Sequence, residues 1–213
     1  MISRANQARN APLGGFTLTD AIRPGRQSQL EPIEGYRIER FRDPVSRKRM
    51  PLLAVAASSE RLFDLFIALL EPLGETVNMV LETSHGRSKD QHDDMCRSDI
   101  DLPVLISHLY DSEEMLLNDG CAGVAVLAQE RAIEVQLDEH KLIYVYADDL
   151  KPFRRILKAH GIRRIDDMRL IAESEHVHLS TPELADEFNE LCLRIGAGDL
   201  ESAMTDENEW SGW

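Results

Sequence analysis

The apolar positions of the chain fall into two periods, alternation and a helical repeat of about 3.6, and their order predicts the elements. Tyr36, Ile38 and Phe41 roughly alternate with charged residues, which predicts a short strand. Leu52 to Ala57 is a continuous apolar run that suits a buried strand. Ser58 or Ser59 then caps a helix in which Leu62, Phe66, Leu69, Leu70 and Leu73 recur at helical spacing. Pro72 and Gly74 end it, and Val77 to Leu81 reads as the next strand. Asp101-Leu102-Pro103 opens a helix, Asp111-Ser112 opens another, and Gly120 closes it. Gly123–Ala128, Ala132–Leu137 and Leu142–Ala147 follow at short gaps, which predicts antiparallel hairpins. Asp148 or Asp149 then caps a helix that turns Leu150, Phe153, Ile156 and Leu157 inward, and Met168 to Ala172 reads as a strand. Ser180-Thr181-Pro182-Glu183 resembles a capping box before a last helix with Leu184, Phe188, Leu191, Cys192 and Ile195 on one face. Ser84 to Ser98 is polar without a period and reads as a long loop.

These elements predict an α+β or α/β domain, a mixed sheet with helices packed on it. Its expected core includes Phe63, Phe66, Leu70, Val145, Phe153, Phe188 and Leu191. Residues 1–32 carry few large apolar side chains and are expected to form a disordered basic arm. Residues 33–197 form the domain and 198–213 an acidic tail. Placing Leu52–Leu70 over Leu142–His160 aligns Leu52, Val55, Ala57 and Phe63 with Leu142, Val145, Ala147 and Phe153. That order of elements is consistent with an internal duplication of a β-α-β unit, with halves at 33–119 and 120–197. It is equally consistent with the patterning that any such unit shares.

Composition narrows the function classes. The 213 residues hold 24 Lys and Arg against 38 Asp and Glu, a net charge of −14. Residues 1–49 hold 10 of the cations and 5 of the acids, a net of +5, so the remainder carries 14 − 33 = −19. Such a body repels a phosphate backbone, and nucleic acid is disfavoured as a partner except through the basic arm. No apolar run is long enough to span a membrane. The first residues lack the apolar stretch of a secretory signal. The three cysteines, Cys96, Cys121 and Cys192, form no CxxC pair or zinc spacing, so a reducing cytoplasm is expected.

No GxGxxG, Gly-Lys-Ser/Thr, HExxH or GxSxG motif is present. The candidate chemistry lies with histidine. His85, His92 and Asp93 sit in the polar stretch, and imidazole with carboxylate at short spacing can hold a divalent ion. His176 and His178 are two apart, so a strand would put both on one face as half of a metal site. Glu82 and His85, three apart at a strand end, are not expected to share an ion. Cys121 has no activating group near it in sequence, although His140 or His108 could approach it in space, and it reads as a structural thiol. The paired acids Asp148-Asp149 and Asp166-Asp167 read as caps.

The tail beyond residue 198 has no Lys or Arg and holds both tryptophans, Trp210 and Trp213. Aromatic anchors on an acidic segment suit docking to a protein partner. The leading expectation is therefore a non-catalytic cytoplasmic protein that binds a protein partner of unknown identity, with self-association as a homodimer also open and no cofactor. The alternative is a metal-assisted hydrolase using His85, His92, Asp93, His176 and His178 with zinc or manganese.

Overall fold

A computed structural model describes residues 15–42, 47–85 and 92–199. Its centre is an eight-stranded sheet built from β2 (Gly35–Arg42), β3 (Arg49–Ala56), β4 (Thr76–Thr83), β5 (Asp93–Asp101), β6 (Ala122–Ala128), β7 (Ile133–Leu137), β8 (Ile143–Ala147) and β10 (Gly198–Asp199). The order across the sheet is β10-β5-β4-β6-β7-β8-β3-β2, and every ladder in it is antiparallel. A separate two-stranded ribbon joins β1 (Ile22–Pro24) to β9 (His176–His178). The helices are α1 (Ser59–Leu70), α2 (Leu102–Asp111), α3 (Glu113–Asn118), α4 (Lys151–Ala159) and α5 (Pro182–Ile195). The fold is thus α+β.

Strand alternation sends side chains to two faces. Leu53 and Val55 of β3, Leu81 of β4, Val135 and Leu137 of β7 and Val145 of β8 share one core with Phe63, Phe66, Phe153, Phe188 and Leu191 from the helices. Ala54 and Ala56 point the other way, into a second apolar cluster with Phe16, Ile22, Leu30, Leu142, Met168, Leu170 and Ile171. β3 is therefore buried on both faces, which is why its sequence is a continuous apolar run rather than an alternation.

That second cluster corrects the expectation of a disordered arm through residue 32. From Gly15 onward the segment is packed: Phe16, Ile22 and Leu30 are buried, and β1 pairs with β9. A few well-spaced apolar anchors suffice because Ala54 and Ala56 leave room for them. Residues 1–14 of the expected arm, and the tail with Trp210 and Trp213, lie outside the described residues.

Two further elements differ from expectation. The stretch expected as a loop through Ser98 contains β5, in which only Cys96 and Ile100 are buried. A register shift against β4 between Val77 and Met79, with Asp99 at φ +54°, breaks its alternation. Met168 to Ala172 is not a strand; it leads into a 3-10 turn over Ile171–Glu173, and its apolar residues serve the second cluster. The duplication does not appear as two equivalent units. β3-α1-β4 returns to the main sheet, whereas the strand after β8 and α4 leaves it to pair with β1.

Candidate metal centre

β7 and β8 are joined by the turn Asp138-Glu139-His140-Lys141-Leu142. Asp138 organises it: its Oδ1 accepts the Leu142 amide at 2.8 Å and its backbone carbonyl accepts the Lys141 amide at 3.0 Å. Lys141 takes φ +57°, a conformation that side chains other than glycine rarely adopt. The turn thereby lifts His140 over β9, where alternation sets His176 and His178 on one side and leaves Val177 exposed on the other.

The three rings meet. Ring centroids are 4.8 Å apart for His140 and His176, 4.8 Å for His140 and His178, and 5.0 Å for His176 and His178. One ring nitrogen of each lies within 4.8 Å of those of the other two. Every Nδ1 has an acceptor. His176 Nδ1 donates to the Ser174 carbonyl at 2.7 Å, His178 Nδ1 to the Gly120 carbonyl at 2.5 Å, and His140 Nδ1 to Asp138 Oδ2 at 2.8 Å. Backbone carbonyls and an ionised carboxylate only accept, so each of these Nδ1 atoms carries the hydrogen and the neutral ring keeps its lone pair on Nε2. Burial, then the neighbouring rings, pull His178 below the ordinary imidazole value despite the Gly120 carbonyl. Burial also acts to lower His140, but the hydrogen bond and charge of Asp138, with the charge of Glu139, outweigh it and raise that residue.

A cleft of about 180 Å³ opens beside His140, on the sheet face away from the helices, lined by Glu82, His92, Cys121, Gly123, Gln136, Asp138 and Glu139. Gly123 lines it without crowding: a Cβ there would lie 3.3 Å from both Glu82 Oε2 and the Leu137 carbonyl, a tight approach that glycine avoids. Gln136 Nε2 donates to Glu82 Oε2 at 3.0 Å. Burial, with the nearby charge of Asp94, raises the Glu82 carboxyl above its usual range.

The five residues expected to share an ion are separated. His176 and His178 lie together as alternation predicts, and the third ring that meets them is His140. His85 instead joins Asp119 and Cys121 in another group of three. His92 and Asp93 belong to neither group, and His92 stands at the edge of the cleft. Glu82 is not in the group of His85, in line with the divergence expected on a strand. The role of His140 was hidden because its partners lie about forty residues away. The one local signal was Asp138-x-His140, a carboxylate two positions before an imidazole in a tight turn.

The arrangement defines a class of site: three imidazoles with oriented Nε2 atoms beside a polar cleft. No family model, curated protein or solved structure matches the chain.

Proposed function

We propose that the protein is a metal-dependent hydrolase whose divalent ion is held by His140, His176 and His178. The observation that carries this is the common commitment of the three Nδ1 atoms to fixed acceptors, which leaves three lone pairs for one ion. Histidine ligands of catalytic zinc are held in this way by carboxylates and backbone carbonyls. An all-imidazole set favours zinc over manganese, which prefers oxygen donors. Three protein ligands leave a fourth position for water, whose pKa zinc lowers to about 7. Glu139 reaches within 3.9 Å of His178 Nδ1, and Glu82 and Gln136 line the cleft in which a substrate would lie. The docking reading rests on Trp210 and Trp213 and draws no support from the described residues.

The test starts from the full chain stripped with a chelator. Calorimetry with zinc is expected to show binding at neutral pH, and His140→Ala or the double variant His176→Ala/His178→Ala is expected to lose that ion. Reloaded protein should hydrolyse an activated phosphate or carboxylate ester, and the double variant should not. Absence of zinc binding by the unaltered chain refutes the centre. Binding without zinc-dependent hydrolysis of either ester class refutes the enzymatic reading.

A further inference from the structure

His85, at the end of β4, faces the turn between α3 and β6. His85 Nδ1 contacts Thr83 Oγ1 at 2.7 Å, and its Nε2 lies 2.9 Å from Asp119 Oδ2 and 3.2 Å from Ser180 Oγ. Asp119 is wholly buried. Its Oδ1 accepts the Cys121 amide at 2.9 Å. Its Oδ2 accepts no hydrogen bond from the neutral ring: with the His85 hydrogen on Nδ1, toward Thr83 Oγ1, the Nε2 that stands 2.9 Å away carries only a lone pair. A buried carboxylate oxygen without a donor is costly and rare in a folded protein. The Cys121 sulfur completes the group: one donor atom from each of His85, Asp119 and Cys121 lies within 4.8 Å of the others.

Nothing here suits a thiol nucleophile. Burial pushes the Cys121 thiol up, and the charges of Asp119 and Glu139 act in the same direction. A catalytic cysteine needs the opposite environment.

We propose that His85, Asp119 and Cys121 form a second metal site, which takes a zinc-class divalent ion through an imidazole nitrogen, a carboxylate oxygen and a thiolate sulfur. On binding, the Cys121 thiol releases its proton to solvent. The thiolate and carboxylate then balance the two charges of the ion, so the buried site becomes neutral. Thr83 Oγ1 accepts from Nδ1 and leaves Nε2 as the ligand. The ion gives Asp119 Oδ2 the partner it lacks. Ser180 Oγ or a water is placed to fill the fourth position.

The ligands are held in advance by Gly120, between Asp119 and Cys121. A Cβ at Gly120 would fall 2.2 Å from the Ala21 carbonyl and 2.8 Å from the Leu179 amide. The Gly120 amide donates to the Leu179 carbonyl at 2.7 Å. Its own carbonyl accepts from His178, so one residue braces both groups of ligands.

Cobalt(II) separates this site from the three-histidine centre, because only a thiolate ligand gives an intense near-ultraviolet charge-transfer band. The full chain, stripped and titrated with cobalt(II), is expected to develop that band and to bind two equivalents. Cys121→Ser is expected to abolish the band and one equivalent. Cys96→Ser and Cys192→Ser should retain the band. His176→Ala/His178→Ala should lose the other equivalent and keep the band. Circular dichroism of each variant confirms that it is folded. A native chain without the band at saturating cobalt(II), or a band that survives Cys121→Ser, overturns the proposal. A total of one equivalent, lost in the His176/His178 variant alone, overturns the second site and leaves the first intact.

Discussion

Lys141 is the most constrained single residue near the centre. It is buried, its backbone is left-handed, and its Nζ donates to the Ala122 carbonyl at 2.7 Å. Burial pushes its pKa from 10.5 down to about 8, against the pull of Asp138, Asp119 and Glu139. Below pH 8 the amine is charged in both folded and unfolded chains, and its burial cost is fully present. Between about 8 and 10.5 the folded chain has given up the proton while the unfolded chain still holds it, so stability rises with pH. The shift corresponds to at most about 3 kcal/mol. Urea titrations at pH 7.5 and 10 should therefore show the unaltered chain gaining on Lys141→Met as pH rises, against the opposite drift that the raised Cys96, Cys121 and Cys192 thiols impose on both proteins. Equal pH dependence in the two proteins would show that Lys141 is not the group responsible.

Among the elements, Phe153 on α4 is fully buried where the helix meets the sheet. Phe153→Ala is expected to cost about 3–5 kcal/mol in a denaturant titration. A loss under about 1 kcal/mol would mean that the site collapses around the gap. Phe153 was legible because its neighbours Leu150, Ile156 and Leu157 keep helical spacing. β3, β4 and β6–β8 were legible for the matching reason, since each carries an apolar face or run. β5 was not, because an interrupted strand with two buried residues has no period to read. β1 and the approach to the Ile171 turn were missed because their apolar residues answer to Ala54 and Ala56 on a face whose need for cover is a tertiary fact. The candidate centre divides the same way. His176 and His178 follow from alternation within one strand, whereas His140, Asp119 and Cys121 join their partners through folding alone.

For the whole molecule, the packed segment from Gly15 changes the boundary of the stable unit. Arg23 lies within β1, its guanidinium bonded to the Thr19 and Ile22 carbonyls and paired with Asp20. Limited digestion of the native chain with chymotrypsin should therefore spare the bond after Phe16, whose ring is buried and whose neighbour Thr17 is bonded to Ser58 and Ser59, and mass spectrometry of the resistant core should find it intact. Rapid cleavage there would return residues 15–32 to the status of an arm. Among the described residues no helix is long and apolar enough to cross a membrane.

The ribbon of β1 and β9 bears on the timing of assembly. Ile22 pairs with His178, a separation of 178 − 22 = 156 positions. A ribosome adds about 5–20 residues each second, so the two halves of that ribbon emerge many seconds apart. Until His178 has left the exit tunnel, the Gly120 carbonyl has no imidazole to hold and the three-ring cage has one wall. A nascent or truncated chain ending before residue 176 would bring His140 alone to the three-histidine centre, too weak a ligand set to hold zinc there against cellular chelators. Acquisition of the ion would then report that synthesis has passed residue 178 and that the first strand has met one of the last.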